Sequence, residues 1–249
     1  SYSNLIYQSI IGNTDNKIKF GASFNLDKYE ESYLLPTYDL NEPINRLEVV
    51  PGLFSEYSLS KGQNLSLVLG ARVDYHNLIG LMFNPRLHLK YHFTENLTMR
   101  LTSGRGQRIA NIYAENMAIM ASSRQLNVIA SNNIKSIYGL NPEIAWNNGI
   151  SLIQDFKIKY HTGSVAVDFY RTDFQNQVVV DYDASPQELN IYNLNGKSYS
   201  NSFQIEAKYE LINRLDVLAA FRYSDVQTTI GTELVRKPLV NKYKGLVNL

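Results

Sequence analysis

Long stretches of this chain alternate apolar and polar side chains with a period of two. From Leu65, one face carries Leu65, Leu67, Leu69, Ala71, Val73 and Tyr75, and the other Ser66, Gly70, Arg72, Asp74 and His76, with Val68 out of pattern. Leu87, Leu89, Tyr91 and Phe93 alternate with Arg86, His88, Lys90 and His92. Phe203, Ile205, Ala207, Tyr209 and Leu211 alternate with Ser202, Gln204, Glu206, Lys208 and Glu210. Similar patterns run through 18–26, 97–102, 156–160 and 215–223. A helix would space its apolar residues by three and four, so these are strands with one wet face.

Their length narrows the choice. Strands of soluble proteins have a mode of about 5–6 residues, whereas membrane-crossing ones need about 9–11. No apolar run of about 18 residues exists, so no helix here can span a membrane. A barrel escapes that test because only alternate residues need be apolar. The 18 tyrosines suit both strands and membrane interfaces. Cysteine is absent, which removes disulfides and thiolate metal sites. The net charge of +1 offers no basic field for nucleic acid.

The connections sort by length. Short turns are expected at 13–16, 61–63, 94–96, 161–163 and 212–214, each following a strand. Between them lie longer polar connections at 32–45, 106–148, 184–197 and 229–238, with a briefer one at 77–82. Outer-membrane barrels alternate tight periplasmic turns with long external loops in this way. Tyr57, Tyr91, Phe93, Tyr160 and Tyr209 gather near the short turns, as an interfacial aromatic girdle would. The pattern predicts about eleven strands. One short helix is expected over 111–120, with Asn111 as N-cap.

Three stretches carry a family resemblance. Asn84-Pro85-Arg86-Leu87, a strand, a tight turn and then Leu101 to Asn116, including Gly104-Arg105-Gly106-Gln107-Arg108, form the first. The second is Leu140-Asn141-Pro142-Glu143 through Gly149, and the third runs from Asp168-Phe169-Tyr170-Arg171 to Val179. In order and spacing they resemble the barrel of TonB-dependent outer-membrane receptors of the Bacteroidetes type. Gln107 and Ala110 stand where that family usually has an aromatic residue and a proline. The resemblance implies an all-β, antiparallel, up-and-down transmembrane barrel of 22 strands around a plug. About eleven strands would be the middle part of such a barrel. Residues 1–249 are therefore expected to form one portion of a single barrel domain, with the plug and the barrel C-terminus outside it.

No catalytic constellation emerges. Serines and aspartates are scattered, and no histidine stands beside a candidate nucleophile. His88 and His92 share a strand face but lie about 13 Å apart, too far for one metal. Gly104 and Gly106 lack the third glycine and the lysine of a phosphate loop. No enzyme activity, cofactor or resident metal is expected. Arg105, Arg108, Tyr113, Arg124, Gln125 and Trp146 flank or occupy the longest loop. Guanidinium groups suit anionic ligands and aromatic rings suit flat apolar ones.

The resemblance thus implies energy-coupled uptake of a scarce nutrient: a ferric siderophore, haem, cobalamin, another metal chelate or a glycan. Its partners would be that ligand, the plug, TonB, outer-membrane lipid and lipopolysaccharide. A passive porin and a soluble all-β binding module are the rivals. In a soluble module the apolar faces would be buried between two stacked sheets.

Overall fold

The computed structural model describes residues 1–32, 34–35, 38–39, 44–117, 122–130, 137–238 and 240–249. Every strongly alternating stretch is a strand. In chain order these are β1 (Tyr2–Ile10), β2 (Asn16–Glu31), β3 (Leu34–Leu35), β4 (Tyr38–Asp39), β5 (Ile44–Lys61), β6 (Leu65–His76), β7 (Gly80–His92), β8 (Leu97–Arg108), β9 (Gln125–Val128), β10 (Glu143–Ile158), β11 (His161–Asn176), β12 (Val178–Asp181), β13 (Glu188–Asn193), β14 (Ser198–Ile212), β15 (Leu215–Ile230), β16 (Glu233–Arg236) and β17 (Tyr243–Asn248).

One antiparallel meander dominates: β1-β2-β5-β6-β7-β8-β10-β11-β14-β15-β16, with β17 also on β15. β16 pairs with 227–230 of β15 and β17 with 218–223, so the two share one position. The wall is therefore eleven positions wide, as the sequence predicts. It is an open sheet, with β1 at one edge. Its long strands run to 15–18 residues, longer than a hydrocarbon core requires, and the excess lies toward the long loops.

Register converts alternation into two chemically distinct faces. Leu59, Leu67, Leu89, Leu101, Ile150, Phe169, Phe203, Tyr223 and Tyr243 stand directly opposite one another across nine neighbouring strands. One residue along, the same ladders align Ser60, Ser66, Lys90, Arg100, Ser151, Asp168, Gln204, Arg222 and Lys244. No second sheet covers the first row among the described residues. Phe169 is 42% exposed, Phe203 38% and Leu53 67%. A soluble sandwich would bury these side chains, and so that rival fails.

Two prolines interrupt ladders, and polar side chains make good the loss. Pro51 has no N–H, and the β5–β6 ladder begins only at Gly52. Beyond it Asn77 continues the pairing: its N–H donates to the Val49 carbonyl at 3.2 Å, and its Oδ1 accepts from the Val49 N–H at 2.9 Å. Likewise the β7–β8 ladder starts at Arg86, next to Pro85. There Arg105 Nη1 donates to the Phe83 carbonyl.

The short turns lie where expected, with one shift. His161–Gly163 belongs to β11, and the turn is Lys159–Tyr160, where Lys159 takes φ 57°. The opposite ends depart more. Residues 229–238 are not a long loop: Gly231, at φ 61°, closes a tight turn and β16 pairs back on β15. Of the expected helix at 111–120, the described residues hold a 3₁₀ turn, Ala114–Asn116, followed by helical Met117; residues 118–120 lie outside the described set. The N-cap of the turn is Tyr113 and not the expected Asn111, which instead braces the approach: Asn111 Oδ1 accepts from the Ala114 N–H at 3.0 Å, and Glu115 accepts from the Asn111 N–H at 3.1 Å.

Candidate functional site

The long segments between β8 and β10 and between β11 and β14 fold together into a cap at one end of the wall. β12 and β13 pair antiparallel, and β9 joins β13 in parallel, giving a three-stranded sheet with β9 at its edge. Beneath it lies the apolar core of the molecule: Ile112, Tyr113, Leu126, Leu140, Leu189 and Ile191, with Ile44, Val128, Tyr138, Val178, Val180 and Tyr182 packed around them. Ile191 is wholly buried. The alternation of Leu189 and Ile191 sends both onto one face of a six-residue strand, as burial requires.

Polar contacts tie the two segments. The Asn141 N–H donates to Asn193 Oδ1 at 2.8 Å, and Asn193 Nδ2 donates to the Asn141 carbonyl at 3.1 Å. Asn176 Nδ2 donates to the Pro142 carbonyl at 2.7 Å, and Glu143 accepts from the Val178 N–H at 3.1 Å.

A charged clamp then fastens the cap to the wall. Tyr138 and Gly139, both at positive φ, close a tight turn bracketed by the Ile137–Leu140 bridge. The Tyr138 hydroxyl donates to Glu31 at 2.8 Å and accepts from Arg46, on the ends of β2 and β5. Arg46 also pairs with Glu31 at 2.8 Å and Glu48 at 2.7 Å, and its guanidinium lies 4.1 Å from the Tyr29 ring centroid. Burial, and then the Glu31 carboxylate, push the Tyr138 hydroxyl pKa up, so it stays a donor. Next to Glu48 is buried His76. Its Nδ1 accepts from the Leu78 N–H at 3.1 Å, which leaves Nε2 facing Glu48 at 3.4 Å. Sequence reasoning missed this cluster. Only the i, i+2 spacing of Arg46 and Glu48 hinted at it.

The six residues singled out from sequence are not brought together. Arg108 donates to both Glu115 oxygens at 2.9 Å and to Glu143 at 2.7 Å, joining β8, the 3₁₀ turn and β10. Tyr113 is buried in the cap core, edge-on to Tyr138. Arg124 Nη1 donates to the Tyr182 carbonyl at 2.9 Å. Gln125 opens β9 with its side chain exposed. Arg105 and Trp146 are directly paired, and they share the face of Leu101 and Ile150 rather than that of Arg108. Arg105 also reaches Gln107 at 3.2 Å and Gln175 at 3.3 Å. Among the described residues, no group of three or more His, Asp or Glu side chains is arranged to hold a metal.

This wall and cap have known counterparts. Residues 2–245 match the family described as "TonB dependent receptor-like, beta-barrel". The ferric enterobactin receptor of Pseudomonas aeruginosa is 26% identical over 134 residues, 51% of this chain and 17% of that protein. Among solved structures, the siderophore receptor PirA of Acinetobacter baumannii superposes with a TM-score of 0.66 at 13% identity, over 97% of this chain and 38% of that one. The ferric enterobactin receptor PfeA of P. aeruginosa, in complex with enterobactin, gives 0.63 at 14% identity, over 90% and 35%. The chain thus spans about a third of the length of these receptors. A single-layer antiparallel wall with an uncovered apolar face, and a family match across nearly its whole length, establish that this chain belongs to the TonB-dependent receptor β-barrel family.

Proposed function

We propose that the protein of which this chain is the barrel wall imports a ferric siderophore across the bacterial outer membrane by TonB-coupled transport. The family match over 2–245 carries the reading, and receptors named for siderophores among its relatives favour that ligand over haem, cobalamin or glycan. In this reading the apolar row faces lipid tails and the polar row faces the lumen. Every backbone group then finds a partner in a closed barrel, as hydrocarbon demands. The rest of the barrel and a plug inside it belong to the same protein. TonB acts on that plug, and the cap lies outside the cell among lipopolysaccharide.

The ligand meets the cap. Of the six residues, Arg124 and Gln125 lie beside the edge strand β9, the position best suited to contact. Arg108 and Tyr113 serve by holding the cap's shape. Arg105 and Trp146, at the long-loop end of the lipid face, suit the headgroup region.

Deleting the gene and supplying single ferric siderophores as the sole iron source tests this. Growth on at least one siderophore should be lost, should return with the full-length gene, and should need a working TonB. Growth that returns equally without TonB would mean a passive channel. Loss of growth on haem or cobalamin alone would reassign the ligand.

A further inference from the structure

The connection between β6 and β7, residues 77–79, is held to the wall by Asn77 and His76. Asn77 takes up β5 where the ladder has stopped: besides its two bonds to Val49, its Nδ2 donates to the Leu47 carbonyl at 2.9 Å. His76 holds the tip of the connection, its Nδ1 accepting from the Leu78 N–H at 3.1 Å. A backbone N–H can only donate, so this nitrogen is bare and the single ring proton sits on Nε2. The His76 side chain is 3% exposed, and Nε2 makes no hydrogen bond. It faces Glu48 Oε2 at 3.4 Å.

Among the described residues, the charged and titratable groups on the elements around the ring are Asp27, Tyr29 and Glu31 on β2, Arg46 and Glu48 on β5, Arg72 and Asp74 on β6, and Tyr138 in the cap. β7 places Gly80 opposite His76 and Met82 opposite Asp74, and neither is charged. The four carboxylates Asp27, Glu31, Glu48 and Asp74 thus stand against the two guanidiniums Arg46 and Arg72. Arg46 takes Glu48 Oε1 at 2.7 Å and leaves Oε2 to the ring. A positive imidazole suits this surplus of negative charge. Its second proton has one place to go, which is the Nδ1 that Leu78 occupies.

We infer that His76 is a proton switch for the β6–β7 tip: neutral, it holds the Leu78 amide, and protonated, it lets that amide go. The proton and the Leu78 N–H need the same lone pair, so the two states exclude each other. The released form is the one that binds the extra proton, and it therefore gains as pH falls. The charged ring stays beside Glu48, whose other oxygen keeps Arg46, so the cap remains fastened while the tip loosens. In the proposed orientation the tip lies at the outer mouth of the wall, and the proton comes from the medium outside the cell. The switch itself stands whether or not the protein is a receptor.

Amide exchange of the full-length protein in detergent micelles tests it, with rates divided by the intrinsic rate at each pH, between about pH 8 and pH 5, where an imidazole changes charge. Protection at residues 77–79 should fall by about tenfold across that span, while residues 137–140 of the clamp stay within about twofold. His76→Asn offers Leu78 an oxygen that does not titrate, and its tip should stay protected throughout. Migration of unheated samples on gels checks that this variant is folded. Nitrogen-15 labelling of the histidines in the wild type gives a second reading without substitution. The ring should carry its proton on Nε2 at neutral pH and should take up the second at the pH where the tip opens. A tip whose protection ignores pH overturns the switch. So does the same acid release in folded His76→Asn, which would give the proton to the carboxylates. A ring that titrates while Leu78 stays protected overturns it as well.

Discussion

In the cap, the side chains that lose water are Ile112, Leu126, Leu140, Leu189 and Ile191. In the wall they are Ser23, Glu48, Asp74, His76, Thr98 and Ser151, while Leu53, Phe169, Phe203 and Phe221 stay open. One chain thus holds an ordinary water-soluble core and an inverted layer a few residues apart. The contrast says that the two regions are built for different media. The cap folds by removing apolar surface from water. The wall satisfies its backbone strand to strand and leaves its apolar face to a solvent that does not penalise it.

The joint between the regions should be the most fragile point. Arg46 is about nine-tenths buried between Glu31 and Glu48, so Arg46→Ala strands two carboxylates. Removing one partner of a buried pair costs about 3–5 kcal/mol. Amide exchange in the full-length receptor should show the cap opening while wall amides at 150–152 and 203–205 keep their protection. Equal loss in both would mean that wall and cap form one cooperative unit.

Within the cap, Ile191→Ala should cost about 2–5 kcal/mol through the cavity it leaves. Limited proteolysis near residues 122–130 would report this, with the barrel band on unheated gels unchanged. The wall should answer to the opposite chemistry. Ile150→Arg, in the middle of the uncovered row, should cost about 2–4 kcal/mol in a bilayer, whereas Ala220→Arg, on the polar face directly opposite Glu206, should be nearly neutral. Urea titration in liposomes compares them, and equal effects would mean that the two faces do not meet different media.

The difference also explains what could be read in the sequence. The wall was legible because each strand pairs with its chain neighbour and repeats one rule, so Leu101 or Phe203 declares its face locally. The cap obeys no local rule. β9 pairs in parallel with β13, more than sixty residues later, and only that contact buries Leu126 against Leu189 and Ile191. The predicted contact set suffered likewise. Arg108 carries the right charge for an anionic ligand, but its commitment to Glu143 depends on β8 pairing with β10. Residues 229–238 read as a loop because polar Thr232, Glu233, Arg236 and Lys237 hide a four-residue strand at the sheet edge.

The smallest effect sharpens the comparison most, because it touches the joint without moving charge. Tyr138→Phe keeps the ring edge-on to Tyr113 and removes only the hydroxyl, which donates to Glu31 and accepts from Arg46. Glu31 and Arg46 still have each other at 2.8 Å, so no charge is stranded. A hydrogen bond to a charged group contributes about 1.5–3 kcal/mol, and the surviving ion pair should hold the loss to the lower end of that range. Amide exchange near residues 137–140 should speed up by about tenfold, with no change at Leu189 or Ile191. If the amides of the cap core speed up as well, the clamp is part of the cap's own folding unit. If nothing changes, the hydroxyl adds nothing to the joint, and the cap is held to this corner of the wall by the Arg46 guanidinium over the Tyr138 ring and by Asn111 on Glu31.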